Sequence, residues 1–308
     1  MKKLLIVAAL CMGCLAAYAQ STREEYASRY VLLSSKFGPA GLGIETLINK
    51  WEADFPEDGD MLSAKFMYYF TKCQTSSVQQ MDQARYLGAE PVISLKDSLG
   101  RDVRYFQVTE YDDAQFKLAI EALDKAIRLS PYALELRSAK ISALTAYEKE
   151  SPDMAARELS ALVDYNAVSH PAWTYDGQSV DQDFFCSTVQ EFCFVFYRIG
   201  SSSSMEAFRS ISEKMSGYFP RQTDFMSNMG TYYLVYKQDY KSALKYYNKV
   251  LKIKPGDYTA IKNCVLLARK QKDVKLEKKY LPMLVASSPD ENEKVSAQVR
   301  LDALKNAR

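Results

Sequence analysis

Histidine is almost absent from this chain: among 308 residues, His170 is the only one. A metal site that needs several imidazoles is therefore excluded, and little is left for a histidine-dependent catalytic triad. The cysteines show no zinc-type pairing, and the sequence has neither a phosphate-cradling glycine loop nor a nucleophile elbow. A nucleophile made from His170 with Cys186 or Cys193 is the remaining catalytic alternative. We predict instead a non-enzymatic protein without a cofactor or a metal.

Long apolar runs are missing after residue 19. Residues 1–19 combine two lysines, an apolar run and the small-x-small pattern "AYA" before Gln20, which is typical of a secretory signal peptide. No later segment approaches about 20 continuous apolar residues, so we expect no transmembrane segment. We predict an exported, periplasmic and soluble chain that begins at Gln20. The alternative is a lipid anchor at Cys14.

Neither sign of charge prevails overall. Without residues 1–19, 38 basic residues face 38 acidic ones, which disfavours a nucleic-acid partner. Residues 237–280 are the exception, because they hold 13 basic and 4 acidic side chains. We expect solvated lysines on outward helix faces to explain most of this excess. Docking of an acidic protein or peptide is the alternative.

The four cysteines outside residues 1–19 show no spacing that suggests a disulfide. Cys186 and Cys193 lie seven residues apart on one predicted helix, which separates them by about 10 Å, beyond disulfide reach. Cysteine packs well as a small apolar residue. We therefore predict buried free thiols.

What the chain does contain is a recurring spacing of four, three and five residues. It appears in four stretches and ends each time in a proline that cannot continue a helix. The residues are Ile44, Ile48, Trp51 and Pro56; Ala119, Leu123, Ala126 and Pro131; Phe208, Ser212, Met215 and Pro220; and Ala243, Tyr247, Val250 and Pro255. Pro289 follows Pro255 by 34 residues. Such a period predicts an array of helix hairpins, in which Trp51 is a packing residue.

This frame resembles the tetratricopeptide repeat (TPR) family, closely in residues 224–255 and more weakly over nearly all of the chain after residue 19. The resemblance implies an all-α, TPR-like solenoid of about six helix pairs over residues 20–308. Degenerate repeats would occupy 23–168 and further repeats 181–289, followed by a capping helix at 290–306. The chain also resembles a group of exported bacterial TPR proteins, which implies export and scaffolding but no reaction.

Two segments depart from the repeat. About 40 residues separate the helices of the second pair, and within them residues 89–110 show two β-prone runs around a turn that contains Gly100. This pattern predicts an inserted β-hairpin. The second departure is the loop 169–183. Inserted loops on repeat proteins often carry recognition, whereas the alternative is a hairpin that only covers an edge.

The resemblance also implies where a partner would bind. In this family, the first helices of successive pairs line a concave groove that holds protein or peptide segments. By the family's register, the groove residues are Asn228, Tyr232, Lys262, Leu266 and Arg269. The set of Lys and Asn residues that clamps a peptide carboxylate in chaperone-binding relatives is not evident. The first helix of the fifth pair also has one extra residue, which shifts its groove-facing side chains by about a third of a turn.

The loop 169–183 supports an alternative function. Trp173, Tyr175 and Asp176 combine aromatic rings with a carboxylate, the groups on which sugars stack and to which they donate hydrogen bonds. Glycan or small-ligand binding therefore requires that Trp173 be exposed. Asp181 or Asp183 is predicted to cap the following helix, whereas acid-base work or calcium binding by the two carboxylates is the alternative.

Overall fold

The computed structural model describes residues 21–306, which form thirteen α-helices, one π-helical segment and five β-strands. The helices are α1 Arg23–Phe37, α2 Ile44–Asp54, α3 Gly59–Lys72, α4 Asp113–Leu129, α5 Leu134–Glu148, α6 Asp153–Ser169, α7 Gln182–Ile199, α8 Ser202–Tyr218, α9 Thr223–Thr231, α10 Tyr240–Ile253, α11 Tyr258–Gln271, α12 Val274–Ser287 and α13 Glu291–Asn306. The strands are β1 Gln74–Met81, β2 Ile93–Lys96, β3 Asp102–Tyr111, β4 Thr174–Tyr175 and β5 Gln178–Ser179. The predicted all-α class with a small β insertion is confirmed.

Helices α1 to α12 follow one another as six hairpins, and α13 comes after the last of them. The partners contact each other in five of these pairs, for example in α3 with α4, α7 with α8 and α11 with α12. This arrangement is TPR-like, as the recurring spacing predicts. None of the helices within residues 21–306 is long and apolar enough to cross a membrane.

Eight of the helices begin where a short polar side chain satisfies a free amide of the first turn. Asp181 illustrates this, because its carboxylate accepts a 2.9 Å hydrogen bond from the amide of Phe184, as the capping prediction requires. The same kind of cap precedes seven other helices, at Thr22, Asp58, Asp112, Ser201, Asp239, Asp257 and Asp273.

The described residues form two compact units. The first contains Gln107–Lys140 and the described residues before Gln80, and the second contains Gln80–Phe106 and the residues from Ile141 onward. In the first unit, Trp51 is fully buried, stacks on Tyr26 and donates a 2.9 Å hydrogen bond to Asp58. The packing role predicted for Trp51 is confirmed.

The recurring spacing marks the core of each unit. Ala119, Leu123 and Ala126 are buried in the first unit. Their counterparts Ala243, Tyr247 and Val250 are fully buried in the second, in one cluster with side chains of α11, α12 and α13. The four described cysteines, Cys73, Cys186, Cys193 and Cys264, are buried free thiols, as predicted.

The insertion between α3 and α4 is larger than predicted. Strands β2 and β3 form the expected antiparallel hairpin, with Ile93 opposite Tyr105 and Leu95 opposite Val103. A third strand, β1, lies on the other side of β3 and was not predicted. Its sequence "QTSSVQQM" is mostly polar and almost entirely exposed, so it lacks the alternation that identifies a half-buried strand.

The extra residue of the fifth hairpin is absorbed in a π-helical segment, Tyr232–Lys237, which directly follows α9. A π turn accommodates one more residue than an α turn, so the surrounding helix keeps its packing. Gly230, just before this segment, lies against Tyr247, where a Cβ atom would be 2.5 Å from the ring.

Candidate functional site

The exposed face of α11 carries the predicted groove residues that remain accessible. One side of this helix packs into the core through Ile261, Cys264 and Leu267, which are buried. Lys262, Leu266 and Arg269 are spaced by four and three residues, so they lie on one other face. Leu266 is 41% exposed and stands between the two cationic side chains.

A glutamate of α13 holds Lys262 in place. The Lys262 Nζ lies 2.9 Å from a carboxylate oxygen of Glu293, and Tyr258 and Ser288 donate hydrogen bonds of 2.7 and 2.6 Å to the other oxygen. Partial burial raises the pKa of the Glu293 carboxyl, but the hydrogen bonds from its three partners outweigh this and lower it to about 2. Glu293 is therefore a charged anchor at neutral pH.

Arg269 is held by Glu277 of α12, a glutamate that occupies the position of the small residue in the repeat frame. The Arg269 Nε donates to Oε1 of Glu277 over 2.8 Å. Arg300 of α13 donates to the same oxygen over 3.1 Å and to Oε2 over 3.0 Å. The hydrogen bond from Arg300, opposed by burial and reinforced by Arg269, lowers the pKa of the Glu277 carboxyl.

Two of the predicted groove residues are not accessible. Asn228 is buried and exchanges hydrogen bonds of 2.8 and 3.1 Å with Gln190 of α7. Tyr232 is 1% exposed, and its hydroxyl donates a 2.5 Å hydrogen bond to Glu206. The expectation that these side chains offer an open platform is therefore wrong. Both side chains face the neighbouring helices α7 and α8 instead of the solvent.

The aromatic loop is also placed differently from the glycan hypothesis. Trp173 is 3% exposed, stacks on Phe185 and donates a 2.8 Å hydrogen bond to Asn166. Tyr175 packs against Phe184, and only Asp176 is well exposed, at the turn between β4 and β5. The condition for glycan binding, an exposed Trp173, is not met, because the indole completes the core beside α7 and the loop offers no open tryptophan for a sugar.

The remaining nucleophile alternative has no support in the geometry. His170 ends α6 on the surface, whereas Cys186 and Cys193 are buried in α7, where their thiols are hydrogen-bonded to Gln182 and Ser212. Burial raises the pKa of both thiols, that of Cys193 to about 12, which disfavours the reactive thiolate. Within residues 21–306, no group of three or more His, Cys, Asp or Glu side chains is placed to hold a metal ion.

The insertion contacts α7 through its own backbone. The Arg198 Nη2 donates to the carbonyl oxygen of Gly88, and the two main chains approach so closely that a Cβ at position 88 would lie 2.5 Å from the Arg198 carbonyl oxygen. Ile93 and Leu95 are exposed, although they share one sheet face with Val103 and Tyr105. A recognition role for the insertion stays a prediction.

Arg300 and Glu293 belong to α13, for which the sequence predicts only a capping role, so neither is among the predicted groove residues. The 34-residue period contained a usable signal, since Arg300 stands 34 residues after Leu266. The period therefore assigns Arg300 to the same helix face as the predicted groove residues.

No protein-family model and no curated protein sequence matches this chain. Among solved structures, it is similar to a Pseudomonas aeruginosa pilF structure at 14% identity, covering 90% of this chain and 99% of that chain, with a TM-score of 0.36. It is also similar to the C-terminal part of a TPR repeat-containing protein from Cytophaga hutchinsonii at 14% identity, covering 92% and 96%, with a TM-score of 0.43. The TPR-like fold rests on the helix hairpins of this chain itself.

Proposed function

We propose that this chain is an exported, non-enzymatic scaffold that binds a segment of a protein partner on the exposed face of α11. The observation that carries the proposal is Leu266, which is 41% exposed although its neighbours Val265 and Leu267 are buried. Ion pairs to α12 and α13 orient the flanking cations Lys262 and Arg269. An apolar contact between oriented cations suits a short segment that carries both apolar and acidic side chains.

The binding test is a pull-down from cell-envelope extract with wild type, Lys262→Glu and Leu266→Glu. Both variants should lose a partner that wild type recovers, because one reverses a charge and the other places a charge at the apolar contact. Val274→Glu is the matched control, since Val274 is 46% exposed but lies outside this face, on α12. Equal recovery by all four proteins would contradict the proposal.

Export rests on residues 1–19, which lie outside the described residues, as does the alternative anchor Cys14. Mass spectrometry of the protein isolated from its native cell distinguishes a free amino terminus at Gln20 from a lipid anchor at Cys14. We expect an amino terminus at Gln20, and a lipid-modified Cys14 would replace the soluble periplasmic form with an anchored one. A chain that retains residues 1–19 would refute export by either route.

A further inference from the structure

Arg269 and Arg300 have unused hydrogen-bond donors on the surface of the second unit. Each guanidinium carries five N–H groups. Glu277 accepts one hydrogen bond from Arg269 and two from Arg300, and no other acceptor in residues 21–306 bonds to either group. The arginine side chains are 48% and 47% exposed, whereas that of Glu277 is 3% exposed. The shared carboxylate therefore lies beneath two guanidinium groups whose remaining donors are open to solvent.

The charge of this triad is unbalanced. Two arginines face one carboxylate, so the group carries one net positive charge. The sequence around it adds to that charge, because residues 237–280 hold 13 basic and 4 acidic side chains. A second carboxylate beside the arginines would complete the charge balance and accept the free N–H groups, in the bidentate geometry that guanidinium favours.

Glu277 is an unusual residue for its position. The corresponding residues of two other hairpins, Ala119 and Ala243, are fully buried and fill the helix crossing without charge. A buried carboxylate is costly unless it is paired, and a well-packed apolar residue is often as stable. A local departure of this kind is expected where a side chain serves a site. Here the Glu277 carboxylate holds the guanidinium groups of Arg269 and Arg300 side by side.

We propose that Arg269 and Arg300, positioned by Glu277, bind one acidic side chain of the partner segment while Leu266 contacts an apolar residue of the same segment. This inference rests on the proposed binding face of α11. Lys270 and Lys272 follow Arg269 in the chain and are exposed. Their positive charge favours a partner segment that extends past the arginines over one whose chain end lies at them.

The test uses the full mature chain with ¹⁵N-labelled arginine and three synthetic peptides: acetyl-LSLE-amide, acetyl-LSLQ-amide, and acetyl-LSLQ with a free carboxyl end. NMR detects the Nε–Hε signals of Arg269 and Arg300, assigned with Arg269→Gln and Arg300→Gln. The glutamate peptide should shift both signals and bind about tenfold more tightly than the glutamine amide, the difference of one good charge-assisted contact. Arg300→Lys should reduce this preference to about twofold, because lysine keeps the positive charge but cannot donate two parallel hydrogen bonds to one carboxylate.

The positioning role of Glu277 has its own measurement. Glu277→Gln should lower the preference for the glutamate peptide to about twofold, because the two guanidinium groups are no longer held side by side, whereas a purely structural role would lower the affinities for both amides and leave their ratio unchanged. Arg209→Gln is the control, because Arg209 also pairs with two glutamates, Glu206 and Glu213, but lies on α8. This variant should keep the full preference.

Several results would overturn the inference. Equal binding of the two amides, with binding lost in Leu266→Ala, would refute the carboxylate site and leave the proposed binding face intact. Tighter binding of the free-carboxyl peptide than of the glutamate peptide would assign the site to a chain end instead of a side chain. A shift of both arginine signals by inorganic phosphate without any glutamate preference would reduce it to a general anion site. Unshifted signals with all three peptides would refute it outright.

Discussion

At the scale of single residues, Gly230 shows how closely the packing depends on side-chain size. A Cβ at this position would lie 2.5 Å from the fully buried ring of Tyr247. We predict that Gly230→Ala lowers the free energy of unfolding by about 1–3 kcal/mol, because the fully buried ring or the backbone of α9 must shift to make room for the methyl group. Chemical denaturation measures this change.

Gly217→Ala is the matched control for Gly230→Ala. Gly217 lies in α8, and a Cβ there would meet no atom within 4 Å. Alanine at an open helix position stabilises by up to about 1 kcal/mol relative to glycine. If both variants were equally stable, the close approach of α9 to Tyr247 would be contradicted.

Glu293 gives a prediction about pH. Its folded pKa of about 2 lies below the unfolded value of about 4.3, so its contribution to stability is present above that unfolded value and is lost as the pH falls towards 2. We predict that Glu293→Gln is less stable than wild type at neutral pH and that the difference shrinks below about pH 4.

Denaturation of wild type and Glu293→Gln at several pH values makes this measurement. Glu57→Gln is the control, since Glu57 is exposed and makes no ion pair within residues 21–306. It should differ little from wild type at any of these pH values. A difference between Glu293→Gln and wild type that does not change with pH would contradict the anchoring of Lys262 by Glu293.

Residue roles were predictable where they depend on the repeat alone. The spacing identified Trp51, Ala243 and Tyr247 as core residues, and they are fully buried. It gave no sign that Tyr232 is buried beside Glu206 or Trp173 beside Phe185, because neither contact follows from the period of a single helix. Arg300 was missed for a different reason: the weak apolar pattern of α13 marks its buried face but gives no sign of the ion pairs on the other.

At the scale of elements, the contact between the insertion and α7 is testable through Gly88. This residue has a φ of +77°, and a Cβ would lie 2.5 Å from the Arg198 carbonyl oxygen. We predict that Gly88→Ala separates the insertion from α7, so that amides of residues 82–105 exchange hydrogen faster while those of α10 to α12 are unchanged. Hydrogen exchange with mass spectrometry reads both regions.

Gly100→Ala separates steric contact from backbone strain. Gly100 has nearly the same φ, +76°, but nothing lies within 4 Å of its Cβ direction. Its substitution should therefore affect only the turn between β2 and β3. Identical exchange in Gly88→Ala and Gly100→Ala would indicate that strain alone loosens the insertion and would contradict a specific contact with α7.

The π segment is also testable, by deletion. Val235 is 48% exposed within Tyr232–Lys237, so removing it should let the helix continue with α geometry at a cost of about 1 kcal/mol or less. Deleting Leu266, which is similarly exposed but lies in the regular helix α11, shifts every following core residue by about 100° and should unfold the hairpin. Circular dichroism during denaturation measures the loss of stability in each deletion variant. An equal loss in both would contradict the conclusion that the π segment accommodates one extra residue.

Whole elements were predicted unevenly. The six hairpins followed from the spacing, because helix propensity, prolines and apolar period agree with one another. Strand β1 did not, since a polar strand gains its structure from pairing with β3 and shows no pattern of its own. The short strands β4 and β5 were not predictable either, because two residues per strand are too few to show a period.

At the scale of the whole molecule, charge is distributed unevenly along the chain. The basic excess of residues 237–280 falls in α10, in α11 with its exposed face, and in the first half of α12. If an acidic segment binds there, its affinity should fall steeply with ionic strength, because exposed charges are screened over about 10 Å at 0.1 M salt. Isothermal titration with the glutamate peptide at low and high salt measures this dependence, and an unchanged affinity would limit the site to its apolar contact.

If the face of α11 around Leu266 contacts a protein partner, a photo-crosslinking amino acid introduced at position 266 in the native cell should capture that partner. Position 168 is the control, because Val168 is 77% exposed on α6. One discrete protein adduct is expected from position 266 and none from position 168. No adduct at position 266, or the same adducts from both positions, would contradict it.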